Sequence, residues 1–300
     1  MKYTIFSLFL FSSCMPFGKE EVSLVEKEEF KQYWFSGKAE INAFKLDQAR
    51  YGENHPGEAV LIFVTEDFSK KKLVKLDFPE EAGRDKIRVL KMNFTKNFIT
   101  GIYPYSMMLS VFTPVNRKDY PNSLKVTMSS QEWCGQRFTQ INEARNQFSV
   151  TNHSYFESDG DAIYSLEKMW LEDEVWNMIR MGPEQLPIGE FEMIPGLFFS
   201  GLNHNPLQTE KMLGGLEARD GNWVYILRAL GYERKLEIEF EQKFPFKILG
   251  WVESFHDGKG NSMKTSAVLE KSLYIDYWTK NKNEFQFLRD SLNLPSPYEY

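Results

Sequence analysis

The sequence predicts a mainly β protein: one large, curved antiparallel meander, forming a partly open barrel or a sandwich, with two or three peripheral helices. Apolar segments of strand length, about fourteen in number, follow one another along the 300 residues and are separated by turn residues. Asp-Gly pairs, which favour hairpins, stand at 159–160, 220–221 and 257–258. A sheet of so many strands curls or divides into two layers, so barrel and sandwich both remain open.

The strands predicted in the first half carry apolar residues either on alternate positions or on both faces. Residues 60–64, Val-Leu-Ile-Phe-Val, are apolar on both faces and indicate a central strand. Residues 40–51 fit both helical and strand periods, and the glycines around them favour a strand. Pro104 and Pro114 confine the pairing of their segment to strand ends or sheet edges. The predicted strands are 40–51, 58–68, 70–77, 87–98, 101–113, 125–133, 136–143, 147–156 and 162–170.

The second half begins with the strongest helix pattern, at residues 171–181. Three acidic residues, 172–174, occupy its first turn, where they favour the helix dipole, and Gly182-Pro183 ends it. In the segment after Gly231, Leu236, Ile238 and Phe240 alternate with glutamates, which is typical of a half-buried strand. The further predicted strands are 189–200, 211–219, 223–230, 234–244, 246–255 and 262–273, and residues 281–292 predict a final helix.

The first fourteen residues have the pattern of a bacterial lipoprotein signal. Lys2 supplies a positive charge, residues 5–11 are mostly apolar, and Ser12-Ser13-Cys14 supply small residues and a thiol at a cleavage site. We therefore predict a signal peptide over residues 1–13 and lipidation of Cys14. The apolar run is too short to cross a bilayer, which needs about 20 residues. A buried strand with an incidental cysteine is the alternative.

We predict that residues 14–32 form a lipid-bearing tether, either solvated or folded into a short helix. The reason is that the stretch after Gly18 is charged and contains few apolar residues. Lys19-Glu20-Glu21 resembles a signal that sends lipoproteins to the cell surface in some Gram-negative bacteria, and a plain hydrophilic spacer is its alternative. The predicted location is the cell envelope. The protein is expected to be lipid-anchored to the outer membrane, on the periplasmic face or at the cell surface.

Residues 33–294 predict a single large β-rich domain, followed by a tail at 295–300; the alternative has two lobes hinged near 171–187. The formal charge is −6 and no long basic block occurs, which argues against nucleic acid as a partner because phosphate binding needs a positive field. Once Cys14 carries lipid, Cys134 has no intramolecular disulfide partner. Core packing is therefore expected to stabilise the domain.

No local pattern predicts an active site, a metal site or a cofactor. The nucleophile elbow, the phosphate-binding glycine loops and His-Glu-x-x-His are absent, and the four histidines lie far apart in the sequence. Residues 157–161 place three carboxylates at alternate positions, as calcium ligands can be, but lack the later glutamate of an EF-hand. A solvated hairpin turn is the expected structure there.

The most unusual local cluster is residues 131–136, Gln-Glu-Trp-Cys-Gly-Gln. The thiol of Cys134 could act as a nucleophile if a base such as His153 lay across a hairpin from it. A buried cysteine that packs near a turn is the more common arrangement. An envelope hydrolase that uses Cys134 or a carboxylate pair is therefore the alternative function.

Residues 102–108 are rich in aromatic and methionine side chains, which either line an apolar cavity or fill the core. The predicted function is that of a non-enzymatic, lipid-anchored protein of the cell envelope that binds an apolar ligand or a partner, or has a structural role. The predicted ligand-lining residues are Tyr103, Tyr105, Met107, Met108, Trp133 and Cys134.

Five segments carry a resemblance to a known group of proteins: 33–40, 57–68, 102–108, 130–135 and 194–198. Together they are similar to one uncharacterised family of bacterial lipoproteins, often labelled septum formation inhibitor Maf. That label implies a nucleotide pyrophosphatase with an α/β fold and a Ser-Pro-Arg motif near the N-terminus. This chain has no Ser-Pro-Arg, and its Ser296-Pro297-Tyr298 stands at the opposite end. No catalytic residue carries over from the label.

Overall fold

One open sheet of 16 strands organises residues 27–295, the part of the chain that the computed structural model describes. The prediction of a mainly β, antiparallel fold is confirmed, and the sheet is not a closed barrel. The strands are β1 (Ala39–Arg50), β2 (Glu53–Ser69), β3 (Val74–Lys75), β4 (Lys86–Thr100), β5 (Tyr103–Pro114), β6 (Lys125–Glu132), β7 (Gly135–Glu143), β8 (Gln147–Ser154), β9 (Ala162–Glu167), β10 (Trp170–Leu171), β11 (Gly189–Ile194), β12 (Glu210–Arg219), β13 (Asn222–Ala229), β14 (Arg234–Phe240), β15 (Ile248–His256) and β16 (Ser262–Ile275). The α-helices in this range are α1 (Glu28–Trp34), α2 (Val175–Met181), α3 (Leu197–Asn203) and α4 (Phe287–Ser291).

Two meanders share this sheet and meet at its middle. One runs outward from β1 to β9, and the other runs from β11 back to β16, which pairs with β1 so that Ala39 lies opposite Ile275. The short strand β3 is a side branch on β2. Only β10 and β11 pair in parallel, over two residues. The two edges, β9 and β10, are consecutive along the chain and only Lys168 and Met169 separate them, so the curved sheet brings its two edges near each other.

The chain that crosses over from β10 to its parallel partner β11 begins inside the protein. Each residue from 171 to 183 is buried, and we call this stretch the crossing segment. It contains a 3-10 turn at Glu172–Glu174 and then α2. The segment near 171–187, which the two-lobe alternative treats as a hinge, therefore packs within the core. Side chains from both meanders, such as Phe63 and Phe240, belong to the same core cluster.

The sheet curves around the crossing segment. Phe94 on β4 and Trp251 on β15 lie with ring centroids 5.1 Å apart, and Trp176 of α2 packs edge-on against both. Three strands separate β15 from β4 in the sheet. Since neighbouring strands are about 4.8 Å apart, a flat sheet would hold β15 and β4 about 19 Å apart. The contact between these rings thus requires strong curvature, and it defines the concave face.

The helix predicted at 171–181 is present from Val175, but it is internal rather than peripheral. Its acidic first turn forms the 3-10 turn, and all seven residues of α2 are buried. The apolar stripe that the sequence shows is therefore only part of the buried surface. The remaining polar side chains bond to the sheet: Asn177 Nδ2, for example, donates to the carbonyl oxygen of Leu90 at 3.0 Å and to Thr113 Oγ1 at 2.8 Å.

The strand predicted over 189–200 is wrong beyond Ile194. Pro195-Gly196 interrupts β11, and residues 197–203 form α3 instead. The backbone N–H of Leu197 donates to Asp173 Oδ2 at 3.0 Å, so the crossing segment caps the first turn of this helix. The predicted strand at 234–244 ends at Phe240, and the predicted helix at 281–292 is reduced to a 3-10 turn at Asn283–Phe285 followed by α4.

Helix α1 occupies residues that the sequence assigns to the tether. Phe30 and Trp34 are each 1 % exposed and belong to the core, so buried structure begins before the predicted boundary at residue 33. Phe30 packs against Phe244, with ring centroids 6.3 Å apart, and Tyr274 donates a hydrogen bond to the carbonyl oxygen of Tyr33. The predicted signal peptide, Cys14, Lys19-Glu20-Glu21 and residues 296–300 lie outside the described range.

A cluster of ionisable side chains is buried where the crossing segment meets β4, β14 and β15. Arg234 bonds to Glu172 at 2.5 Å and to Glu253 at 2.7 Å. Asp173 and Lys96 complete the cluster. Burial first, and then the charges of Glu172 and Glu253, raise the pKa of Asp173 to about 8, whereas burial lowers the pKa of Lys96 to about 8. At neutral pH the Asp173 carboxyl therefore carries a proton in the folded protein.

Replacement of Asp173 by Asn should flatten the pH dependence of stability between pH 5 and pH 7. The unfolded chain releases the Asp173 proton near pH 4 but the folded chain keeps it up to about pH 8, so the contribution of this group is complete below pH 4 and is lost as pH rises. Over this window the wild type should lose about 3 kcal/mol more unfolding free energy than Asp173→Asn. Urea unfolding at the two pH values measures the difference.

The window isolates Asp173, because Lys96 stays protonated in both the folded and the unfolded chain below its folded pKa of about 8. The exposed Asp77→Asn variant is the matched control and should follow the wild-type curve. Identical slopes for wild type and Asp173→Asn would show that this carboxyl is ionised in the folded protein.

Candidate functional site

A cavity of about 400 Å³ lies on the concave side of the sheet, between strands β6 to β9 and helix α3. We call it the concave cavity. Its volume is within the range of small-molecule sites, which is about 300–1,000 Å³. Its walls combine apolar and polar side chains. The apolar ones include Met128, Leu197 and Leu207, and the polar ones include Arg137, Thr139, Asn152, Asp159, Ser200 and His204.

Strand alternation aims the polar side chains of β7 and β8 at the cavity. Arg137, Thr139 and Ile141 share the inner face of β7 and are buried, whereas Phe138 between them is turned outward. Thr139 pairs with Asn152 of β8 in the sheet register, and its Oγ1 donates to Asn152 Oδ1 at 2.7 Å. The inner face therefore changes from apolar to polar toward the β6–β7 end of these strands.

Helix α3 approaches this face closely because it carries Gly201. A Cβ at that position would lie 2.8 Å from Cε of Met128 and 3.4 Å from Nη1 of Arg137. The last carbonyl groups of the helix are then satisfied by arginines: Arg137 Nη1 donates to the Gly201 oxygen at 2.6 Å, and Arg50 donates to the Leu202 oxygen. Positive charge interacts favourably with the negative, C-terminal end of the helix dipole. Both arginines therefore stabilise α3 in this position.

Three ionisable groups from separate segments meet at the cavity wall. Asp159 pairs with Arg137, and His204 Nδ1 lies 2.9 Å from Asp159 Oδ2. Burial first, and then the charges of Arg137 and Arg50, lower the pKa of His204, so its ring is neutral near pH 7. Arg137 is thus paired with the carboxylate of Asp159, while Arg50 and Glu132 bring opposite charges near His204.

Two buried donors at the cavity have no hydrogen-bond partner among residues 27–295. These are Arg137 Nε and the hydroxyl of Ser200. Both residues line the cavity, and they are 8 % and 5 % exposed. A buried polar group without a partner costs about 1–3 kcal/mol, and more if it is charged. Such groups therefore point to a ligand atom that accepts hydrogen bonds.

The sequence cluster at 131–136 lies elsewhere, at the tip of the β6–β7 hairpin. It borders a second depression of about 830 Å³ on the outer face of the sheet, between this hairpin and the β8–β9 hairpin; we call it the outer groove. His153 also borders the groove, with Nδ1 3.5 Å from Asp161. Cys134 is exposed, and its hydrogen bond to Glu132 is the main cause that raises its thiol pKa. A nucleophilic cysteine requires the opposite field.

The predicted ligand-lining residues do not meet around one cavity. Tyr105 and Met107 are buried in the core on the inner face of β5, and Tyr103 packs partly against the same core. Met108 points outward and is 41 % exposed. Only Trp133 and Cys134 line a depression, which is the outer groove. The side-chain period of two in a strand divides the contiguous segment between two faces.

Sequence reasoning missed the residues of the concave cavity because they come from distant segments. Arg137, Asp159 and His204 belong to β7, the β8–β9 turn and the end of α3. One signal was present: Arg137 occupies the same strand phase as Thr139 and Ile141, so an arginine is placed on an inward-facing row. Charged side chains on a buried row are rare unless they are paired, and they merit attention as site candidates.

Comparison of the chain with protein-family models, curated proteins and solved structures finds no match. The resemblance to the lipoprotein family labelled Maf therefore stays a prediction. Between residues 27 and 295, no three or more His, Cys, Asp or Glu side chains are grouped so that they could hold a metal ion. Within the same range, none of the helices is both long and apolar enough to span a bilayer.

Removal of the Ser200 hydroxyl and removal of the Thr139 hydroxyl should change the free energy of unfolding differently, and the difference tests whether the Ser200 hydroxyl is unpaired. Ser200→Ala removes a buried hydroxyl that has no partner, so the unfolding free energy should be unchanged or higher. Thr139→Val removes a hydroxyl that donates to Asn152 and should cost about 1–2 kcal/mol. Urea unfolding of the ligand-free protein measures both. Equal losses in the two variants would mean that Ser200 is bonded in solution.

Proposed function

We propose that this protein is a non-enzymatic binding protein of the cell envelope, attached to a membrane by lipid on Cys14, that holds a small amphipathic anion in the concave cavity. The observation that carries the proposal is the pair of buried, unpartnered donors, Arg137 Nε and Ser200 Oγ, at the wall of this cavity. A carboxylate or a similar acceptor group would satisfy both.

The charge of the site supports an anionic head group. Arg137 pairs with Asp159 but its Nε has no acceptor among residues 27–295, and His204 is neutral near pH 7. A carboxylate placed against Arg137 would supply the acceptor that Nε lacks and would remove the cost of a buried donor left without a hydrogen bond. The bond would be charge-assisted, and such bonds contribute more than neutral ones.

Apolar side chains in the cavity lining support an apolar body for the ligand. Met128, Leu197 and Leu207 line the cavity, and methionine adapts to ligands of different shape. These side chains suit the binding of an apolar ligand, which is one of the functions predicted from the sequence, and the donors add a requirement for an acceptor group on the ligand. The volume of about 400 Å³ limits the ligand to a small molecule.

Support for the membrane attachment comes from the N-terminal pattern. The charge at Lys2, the apolar residues 5–11 and the small residues before Cys14 are the parts of an export and lipidation signal. A diacylglycerol on the Cys14 thiol would carry two acyl chains, and two chains give the stable membrane binding that a single chain does not. The protein would then lie at the outer membrane, on the periplasmic face or at the cell surface.

Benzoate should bind the mature protein more tightly than benzamide does. The two have the same shape, but only benzoate carries the charge that complements Arg137, so the difference should be at least about tenfold in Kd. Arg137→Met should abolish the difference. Saturation-transfer NMR with a displacement series measures both affinities.

Two further variants separate binding from folding. Arg145→Met removes an exposed arginine at the other end of β7 and β8 and should bind benzoate as the wild type does. Ala162→Phe places a ring at the cavity wall without altering Arg137, and it should block benzoate. If benzoate and benzamide bind equally, or if Ala162→Phe binds as the wild type does, the concave cavity is not an anion site.

Substitution of Cys14 by Ala should abolish incorporation of labelled fatty acid, because the thiol that receives diacylglycerol is removed. Metabolic labelling with palmitate, followed by isolation of the protein, measures the effect. Cys134→Ala is the matched control, and this variant should be labelled as strongly as the wild type. Labelling that persists in Cys14→Ala would rule out lipidation at this residue.

A further inference from the structure

The outer groove is bordered by the unusual cluster at residues 131–136, which takes no part in the concave cavity. It lies on the convex face, on the opposite side of β6 to β8 from the concave cavity, because its strand residues Ser129, Phe138 and His153 occupy the outward phase. Two hairpin tips flank it: the β6–β7 turn carries Trp133, and the β8–β9 turn begins with Tyr155. The groove and the cavity therefore lie on opposite faces of one sheet, and Arg137 borders both.

Two large aromatic side chains stand exposed at the groove. Trp133 is 70 % exposed and Tyr155 is 74 % exposed. Such rings usually bury most of their area, so their joint exposure on either side of a depression marks a contact surface. Trp and Tyr are also the residues that contribute most to recognition sites.

The ring of Tyr155 is held in place although it is exposed. It lies across Gly135, where a Cβ would come within 2.7 Å of Tyr155 Cδ1. Its backbone N–H donates to the Gln136 oxygen at 3.1 Å, and Phe156 packs edge-on against the ring with centroids 5.8 Å apart. A ring fixed before binding loses little entropy when a ligand stacks on it.

The polar groups around these rings are amides and carboxylates. Gln131 and Gln136 are direct partners in the β6–β7 register, and both line the groove together with Glu132 and Asp161. Arg137 is the one lysine or arginine among the described residues that line it, and its guanidinium bonds to Asp159 and Gly201 on the concave side. The groove thus offers no positive field for phosphate or for anionic lipid.

We propose that the outer groove binds a neutral carbohydrate. The C–H faces of a pyranose ring are apolar and stack on aromatic rings, while its hydroxyls need neutral amides and carboxylates as partners. Trp133 and Tyr155 supply the stacking faces, and Gln131, Gln136 and Glu132 supply the hydrogen bonds. Shallow, open sites of this kind suit an extended oligosaccharide rather than an enclosed small molecule.

The position of the groove favours a glycan over a bilayer surface. The groove is at the end of the strands where the β6–β7 and β8–β9 turns lie, whereas α1 packs against Phe244 and Tyr274 at the opposite end. Strand β1 has 12 residues and so is about 40 Å long. With attachment at Cys14, which rests on the proposed function, the chain enters the domain at the end away from the groove.

Saturation-transfer NMR of the mature protein in a sugar-free detergent tests the proposal, with chitotriose, maltotriose and cellotriose as probes. At least one trisaccharide should receive saturation from the protein. Trp133→Ala and Tyr155→Ala should each weaken its binding about three- to tenfold. Gly135→Ala, which keeps both rings but displaces Tyr155, should weaken it as well. Trp278→Ala is the matched control, because Trp278 is an exposed tryptophan outside the groove, and it should bind as the wild type does.

Absence of transfer to all three trisaccharides, or transfer that Trp133→Ala and Tyr155→Ala leave unchanged, would overturn the proposal. Binding of the unlipidated Cys14→Ala chain to phosphatidylcholine vesicles, lost in Trp133→Ala, would assign the groove to a membrane surface and would equally overturn it. Benzoate binding that Ala162→Phe blocks reports on the concave cavity, because Ala162 lines the cavity and not the groove, so failure of that function and failure of the groove are distinguished.

Discussion

Charges carried into the core by the crossing segment control how the sheet folds around it. Arg180 of α2 is completely buried and bonds to Glu40 of β1 at 2.6 Å. Glu174 accepts hydrogen bonds from the backbone and hydroxyl of Ser123, and Glu172 bonds to Arg234. Removing one partner of a buried ion pair costs about 3–5 kcal/mol, because the other charge is left uncompensated. These buried contacts hold β1, β14 and the residues before β6 against the crossing segment. The curvature of the sheet, and with it the concave cavity, therefore depends on this short internal segment.

Much of the sheet could be predicted because its determinants are local. Strands β6, β7 and β8 begin within one residue of the predicted starts and end within two residues of the predicted ends, since alternation and short turns define a hairpin without reference to the rest of the chain. Helix α3 was missed because Leu197, Phe198 and Phe199 are apolar and equally compatible with a strand. What decides their conformation is the carboxyl group of Asp173, whose oxygen accepts from the first helical N–H although it belongs to another segment.

The outer groove is easier to recognise from the sequence than the concave cavity is. The outer groove is built largely from residues 131–136, so its unusual composition is visible in the chain itself, although its chemistry was first interpreted through Cys134. The concave cavity is assembled by tertiary folding from β7, the β8–β9 turn and α3, and no spacing in the sequence brings Arg137 together with His204. Residues 102–108 are neighbours in the sequence but do not share one surface, because the alternation of a strand places Met107 in the core and Met108 at the surface.

The pairing of β1 with β16 makes the order of synthesis significant. The first strand of the domain has β2 on one side from the start, but its other side is filled only when the last strand arrives, with Ala39 against Ile275. Until then, one of the most buried strands is an open edge, which is a template for pairing with other chains. Long-range closure of this kind is also slow. A chain shortened before Ser262 would therefore lose the middle of its sheet, whereas the natural edges, β9 and β10, are produced halfway along the sequence.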